Sequence, residues 1–286
     1  MSVDYLIIGN VTQDLLPDGG FTIGGTVTYS ARTALALGRR VVAVTSADPA
    51  LDLDPVLSGI EVARWPSENT LTFENIYTPA GREQFLHALG APLNLEAVPH
   101  DWRQPAIVHL APLAGECNLA LADAFPGAFV GVTPQGWMRA WDDAGRVHVS
   151  EWSGADQVLP KVDAAVMSVN DADGDEATIA RFARLAPVLA VTLGPKGCRV
   201  YAHGEERHIP VKKSPEVDPT GAGDIFAAAF FVCMQQNDDP WSAADFANQV
   251  AALSVKRAGW AGTPTPEEVA HIRCVETPVA ASFGTV

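Results

Sequence analysis

The stretch Asp218-Pro219-Thr220-Gly221-Ala222-Gly223-Asp224 sets an aspartate directly after two closely spaced glycines. Pro219 keeps the approach extended, and Gly221 and Gly223 lack the Cβ atoms that would hold a ligand off the backbone. The Ala/Phe-rich run 225–232 that follows reads as a buried helix. A glycine turn running into a helix presents unpaired N–H groups at the positive end of the helix dipole, which suits a phosphate. A carboxylate in that first turn can accept the proton of an alcohol attacking the γ-phosphorus of ATP, while the amides of Gly221, Ala222 and Gly223 hold the transferring oxygens. An isolated G-A-G-D is equally compatible with a plain turn and an aspartate that complements a helix dipole. The joint presence of Asp218, Thr220, the glycines, Asp224 and a small-residue helix favours the phosphate reading.

The elements around this stretch alternate between strand and helix. Apolar runs at 3–9, 40–45, 106–111, 128–133, 162–169 and 187–193 read as strands; helical patterns fall at 26–37, 175–185 and from Pro240, with a last helix at 266–271. Asp14 follows the first strand, at the edge where open α/β sheets bind ligands, and can accept hydrogen bonds from two hydroxyls; as the start of a turn it needs no ligand. Gly24-Gly25 stands before the helix that carries Tyr29. Residues 60–89 alternate apolar with polar, which predicts half-exposed antiparallel strands outside the parallel sheet. Residues 198–202 and 206–211 read as a hairpin around His203-Gly204. The pattern predicts a doubly wound, mostly parallel α/β sheet with a small antiparallel β lid. It forms one domain over 1–274, with lid strands from about 10–25 and 60–90 and a loosely held tail at 275–286.

D-P-T-G-A-G-D-I-F is similar to the C-terminal signature of the ribokinase family of sugar and nucleoside kinases, and the resemblance runs over most of the chain. It implies that Asp224 is the catalytic base and that Gly221, Ala222 and Gly223 form the anion hole. Asp218 and Thr220 would belong to a loop that in some members also binds a monovalent cation such as K+. Family members carry an Asn after the glycine pair where this chain has Tyr29, a departure from ribose- or fructose-type enzymes. A loose match to D-P-N-x-R puts Gln135 and Arg139 at the substrate. The family's N-x-x-E, which organises Mg²⁺, corresponds to Asn170 and Asp173, one methylene shorter; an acidic helix cap is the local alternative. T-x-G-x-x-G places Thr192, Gly194 and Gly197 at the ATP phosphates, and the small-residue helix with Asn248 and Ala252 at the adenine. Tyr29 and the T-P-Q segment resemble the plant-type myo-inositol kinase branch more than ribokinase itself. The lid is implied to cover the sugar and often to serve as a homodimer surface.

Composition narrows the remaining classes. Among 286 residues, 19 are basic and 34 acidic, a net charge of −15 that argues against nucleic acid or an anionic membrane as partner. Positive charge for ATP must then come from helix ends and Mg²⁺. Four cysteines without CxxC spacing indicate neither a zinc site nor a disulfide framework, and with no basic leader or membrane-length apolar run they lead to the expectation of a soluble, cytoplasmic protein. A Rossmann oxidoreductase would want G-x-G-x-x-G after the first strand, where only Gly9 stands. A nucleoside kinase of the same family, or a nucleotide or sugar sensor without turnover, is the alternative to a carbohydrate kinase.

Overall fold

The computed structural model describes residues 2–78, 81–212 and 214–274, so the tail expected at 275–286 lies outside the described residues. Seven strands form a parallel sheet in the order Val188–Thr192, Ala164–Ser168, Phe129–Val132, Ile107–Ala111, Tyr5–Gly9, Val41–Ala47 and Glu61–Pro66. The hairpin Cys198–Ala202 and Glu205–Ile209 extends it antiparallel at one edge. Strand Tyr5–Gly9 is buried on both faces, which is why it reads as a continuous apolar run. Tyr5 and Ile7 pack into one core with Phe226, Phe230 and Phe231, whereas Leu6 and Ile8 pack into the other with Phe182 and Trp152. Helices Thr26–Ala36, Ala222–Asn237 and Pro240–Ser254 contribute to the first core, and helix Glu176–Leu185 to the second. In Ala222–Asn237 every residue from Ile225 to Met234 is buried, as its lack of an amphipathic pattern demands.

The lid is a four-stranded sheet of Phe21–Gly24, Thr12–Leu15, Leu71–Thr78 and Gly81–Ala88. Two expectations change here. Glu61–Pro66 alternates in sequence like a lid strand, yet it pairs parallel with Val41–Ala47 at the edge of the main sheet, where Val62 packs towards one core and Ala63 and Trp65 towards the other. Asp14 is not at the end of the first strand but inside Thr12–Leu15, two turns of pleat into the lid. The tryptophan-bearing excursion contains a second hairpin that the sequence pattern did not reveal, Arg139–Trp141 paired with Val147–Val149. It joins the lid where the Leu86 amide donates to the Gly145 carbonyl at 2.8 Å, and a Cβ on Gly145, which holds φ 81°, would collide with the Leu86 carbonyl.

Cysteine usage also departs from expectation. Cys233, on the helix Ala222–Asn237, pairs with Cys274 in a disulfide, while Cys117 and Cys198 are free and buried. Their separation of 41 residues hid the pair, because only the return of the chain past the last helix brings them together. Among the described residues no helix is long and apolar enough to cross a membrane.

Candidate active site

A cavity of about 1170 Å³ opens where the lid faces the C-terminal ends of the parallel strands. Leu113, Gln135, Ser168 and Thr192 reach it from just beyond, or at the end of, four successive strands, and Asp224 reaches it from the first turn of Ala222–Asn237.

The turn before that helix is fixed from behind. The Asp218 carboxylate accepts the amides of Thr220 at 2.9 Å and Gly259 at 2.8 Å. Burial pushes its pKa up, but these donors outweigh burial and hold it below the usual carboxylate value. Asp218 is therefore occupied in shaping the loop. Gly221 has φ 78°, and a Cβ on it would collide with the Tyr29 ring. A Cβ on Gly223 would meet nothing within 4 Å, because that position faces the open cavity. The two glycines thus serve different ends: Gly221 permits a left-handed turn against Tyr29, and Gly223 leaves the helix start bare. The Ala222 amide donates to the Pro219 carbonyl at 3.1 Å, which closes the turn, and Gly223 and Asp224 follow it along the cavity wall in the first turn of the helix.

The Asp224 carboxylate accepts a hydrogen bond from the Thr26 hydroxyl at 2.8 Å. Burial raises its pKa from 3.8 to about 6; the Thr26 hydroxyl and the Arg139 guanidinium oppose that rise, and the carboxylates of Asp171 and Asp14 add to it. A carboxylate poised near neutrality, beside bare helix-start amides, matches what a general base for an alcohol requires.

The acceptor end of the cavity is built from side chains. Asp14 and Tyr29 both line it, as do Phe73 and Gln84 from the lid and His148 from the second hairpin. A Cβ on Gly24 would meet the Asp14 carboxylate and push it aside, and Gly25 holds φ 88° with the Asn10 carbonyl only 2.7 Å from where its Cβ would sit. Both glycines let the lid approach the helix closely, and Gly25 also lines the cavity. The Arg139 guanidinium lies 5.8 Å from the Phe73 ring centre and donates to the Leu113 carbonyl at 3.4 Å. Gln135 lines the cavity too, but its amide donates to Asp171 at 2.8 Å.

Much of the remaining lining comes from loops and a helix of small residues. Thr192, Gly194, Gly197, Thr220, Asn248 and Ala252 all line the cavity. Gly197, at φ 89°, is dictated by packing, since a Cβ would collide with the Ile209 carbonyl, whereas a Cβ on Gly194 would meet nothing. The Asn248 amide donates to the Ile209 carbonyl at 3.0 Å, which ties the helix Pro240–Ser254 to the edge hairpin. Ala251, Ala252 and Val255, at the end of the same helix, add apolar surface to the lining.

The acidic pair shifts by two residues. Asp173 is exposed, in a left-handed conformation (φ 50°) that ends the turn 169–172, and lies outside the cavity lining. Asn170 and Asp171 line the cavity instead. Asp171 accepts from the Ser168 amide at 2.8 Å and from Gln135, which fixes its charge towards Asp224. The spacing match to N-x-x-E overlooked that a tight 3₁₀ turn reverses the chain and turns Asp173 outward. Among the described residues no three His, Cys, Asp or Glu side chains cluster as a metal cage. A Mg²⁺ held by a carboxylate through water and by the phosphates themselves fits this sparse acidic set.

Residues 139–267 match the model of the pfkB family carbohydrate kinases. Ribokinase from Bacillus subtilis (strain 168) is 41% identical over 99 residues, 34% of this chain and 34% of that protein. Inositol 3-kinase from Zea mays is 34% identical over 147 residues, 50% of this chain and 35% of the relative. The chain thus aligns with only about a third of the length of these curated relatives. In structure it is similar to a pyrophosphate-dependent kinase in the ribokinase family solved with a pyrophosphate analog and myo-inositol: the TM-score is 0.78 at 23% identity, covering 94% of this chain and 100% of that one. The fold is ribokinase-like.

Two contributors to the site escaped the sequence reading. Thr26 carried a signal only in its position directly after Gly24-Gly25, and Asp171 only in its adjacency to Asn170.

Proposed function

We propose that this protein transfers the γ-phosphate of ATP to a hydroxyl of a compact, carbohydrate-like ring such as a cyclitol or sugar, with Asp224 as base. The observation that carries the reading is the position of Asp224. One carboxylate, raised to about 6, stands at a bare helix N-terminus between a side-chain-lined acceptor end and a loop-lined donor end of the same cavity. The acceptor hydroxyl gives its proton to Asp224 as its oxygen attacks the γ-phosphorus, and the Gly223 and Asp224 amides with the helix dipole receive the charge on the transferring oxygens. Asn170 and Asp171 are the residues that would hold Mg²⁺, which when bound would neutralise phosphate charge. The loop around Asp218 and Thr220 is the place for a monovalent cation such as K+. Exposed Leu16, Phe21 and Ile76 make the lid the candidate homodimer surface, which sedimentation equilibrium would test.

A second donor has an observation in its favour, because the similar kinase solved with myo-inositol is pyrophosphate-dependent. The apolar lining by Ala251, Ala252 and Val255 favours ATP, since a purine would cover apolar surface that pyrophosphate would leave exposed. The test is a screen of cyclitols, unphosphorylated sugars, sugar phosphates and nucleosides with ATP or pyrophosphate as donor. ADP release with a cyclitol or sugar supports the reading. Turnover with pyrophosphate alone, or best turnover of a sugar phosphate or nucleoside, overturns it.

A further inference from the structure

We propose that Thr26 is a positioning residue for the base: its hydroxyl fixes one oxygen of the Asp224 carboxylate and so presents the other to the acceptor. The inference rests on the reading of Asp224 as the base. Three observations carry it. The Thr26 hydroxyl donates to Asp224 Oδ1 at 2.8 Å, from a side chain that lines the same cavity. A β-branched residue has few χ1 rotamers, so this bond is held with little loss of freedom. Thr26 itself cannot drift, because it is the first residue of its helix and follows Gly25, wedged against the Asn10 carbonyl.

The third observation lies one helical turn further on. Ser30 donates its hydroxyl to the main-chain carbonyl of Asp224 at 2.9 Å. Positions 26 and 30 fall on one face of the helix Thr26–Ala36, so a single rigid element grips both the side chain and the backbone of the base. A hydroxyl that donates to Oδ1 leaves Oδ2 as the stronger acceptor and excludes the rotamers that would turn the carboxylate away from the cavity. Two helices far apart in sequence are thereby joined at the reacting group.

Asp224 is also faced by Asp14 from the lid, Asp171 from the turn after Ala164–Ser168, Arg139 from the second hairpin and the phenols of Tyr5 and Tyr29. Burial is the largest influence on its protonation and the Thr26 bond the strongest opposing one. Loss of the hydroxyl therefore leaves burial less opposed, and the carboxylate ionises at higher pH.

The experiment compares wild type with Thr26→Val and Thr26→Ser, measuring kcat/KM from pH 5 to 9 with ATP and the acceptor selected by the screen. Thr26→Val is expected to move the acid limb up by about one pH unit, a loss of about fivefold at pH 6 that approaches about tenfold at pH 5, with the Kd for ATP unchanged and the limb restored in Thr26→Ser. Thr26→Ala, without the extra methyl, replaces the valine variant if that one misfolds. Titration of the Asp224 carboxyl carbon by ¹³C NMR gives the same comparison without turnover. An unmoved limb and carboxyl titration in the valine variant, or a shift that serine does not restore, overturns the proposal. Full activity in Asp224→Asn would instead overturn the base assignment on which it rests.

Discussion

The two ends of the cavity are built by opposite means. The end we assign to the donor uses backbone and small side chains drawn from three short stretches, 192–197, 219–224 and 248–255, each close to contiguous in sequence. The acceptor end uses charged and aromatic side chains brought from the lid, the helix Thr26–Ala36 and the hairpin Arg139–Trp141 with Val147–Val149. Phosphate is the same in every donor, so amides and glycines suffice; an alcohol must be told from its relatives by hydroxyl position, which takes side chains. Asp224 sits between the two ends and answers to both.

If this contrast is right, substitutions at the two ends should separate in their kinetics. Gly223→Val should have the largest effect on the donor side: its side chain enters open space, so the protein folds, yet it covers the amides and abolishes measurable ATP binding. Unchanged ATP affinity by calorimetry would show that the helix start holds no phosphate. Asp14→Ala comes next and should act at the acceptor alone, lowering kcat/KM by ~1.5–3 kcal/mol, about 10- to 150-fold, with the Kd for ATP intact. A loss under about 1 kcal/mol would remove Asp14 from recognition. Smaller again is the metal effect: Asp171→Ala should raise the Mg²⁺ midpoint about tenfold, while Asp173→Ala leaves it in place. The reverse ranking would restore the assignment that spacing alone suggests.

The smallest expected effect is on stability. The folded-state pKa of Asp224 lies near 6, above its ordinary 3.8, so folding favours the protonated acid and stability falls as pH rises from about 4 through 6. Asp224→Asn should therefore gain a few degrees in Tm above pH 6, and that gain should vanish below pH 4. A Tm difference that does not change with pH would contradict the burial of an ionised group.

The same contrast explains what was legible in the sequence. The glycine turn that runs into a buried helix was, because glycines, a proline and an aspartate at fixed spacing act through local backbone geometry. The order of strands and helices was legible for a like reason, each apolar run being buried on both faces or one. The acceptor end was not. Nothing in residues 139–149 shows that Gly145 meets Leu86, since that contact depends on a lid strand about sixty residues away. Asp173 and Asp171 differ only in which way a 3₁₀ turn points them, and Glu61–Pro66 alternates in sequence whether it joins a lid or the edge of the main sheet. Thr26 carries no motif; its meaning arises only when the helix Ala222–Asn237 arrives beside it. Tertiary packing, which spacing does not encode, decided each of these.

The claim on which the rest depends is that the Asp224 carboxylate takes the acceptor's proton. Single-turnover kinetics on Asp224→Asn, with the Kd for ATP measured alongside, tests it most directly, because the amide keeps the shape and still accepts the Thr26 hydroxyl but cannot act as the base. The expected result is unchanged ATP binding with phosphoryl transfer slowed ~10²–10⁴-fold. Transfer within about threefold of wild type, at the same ATP occupancy, would contradict it.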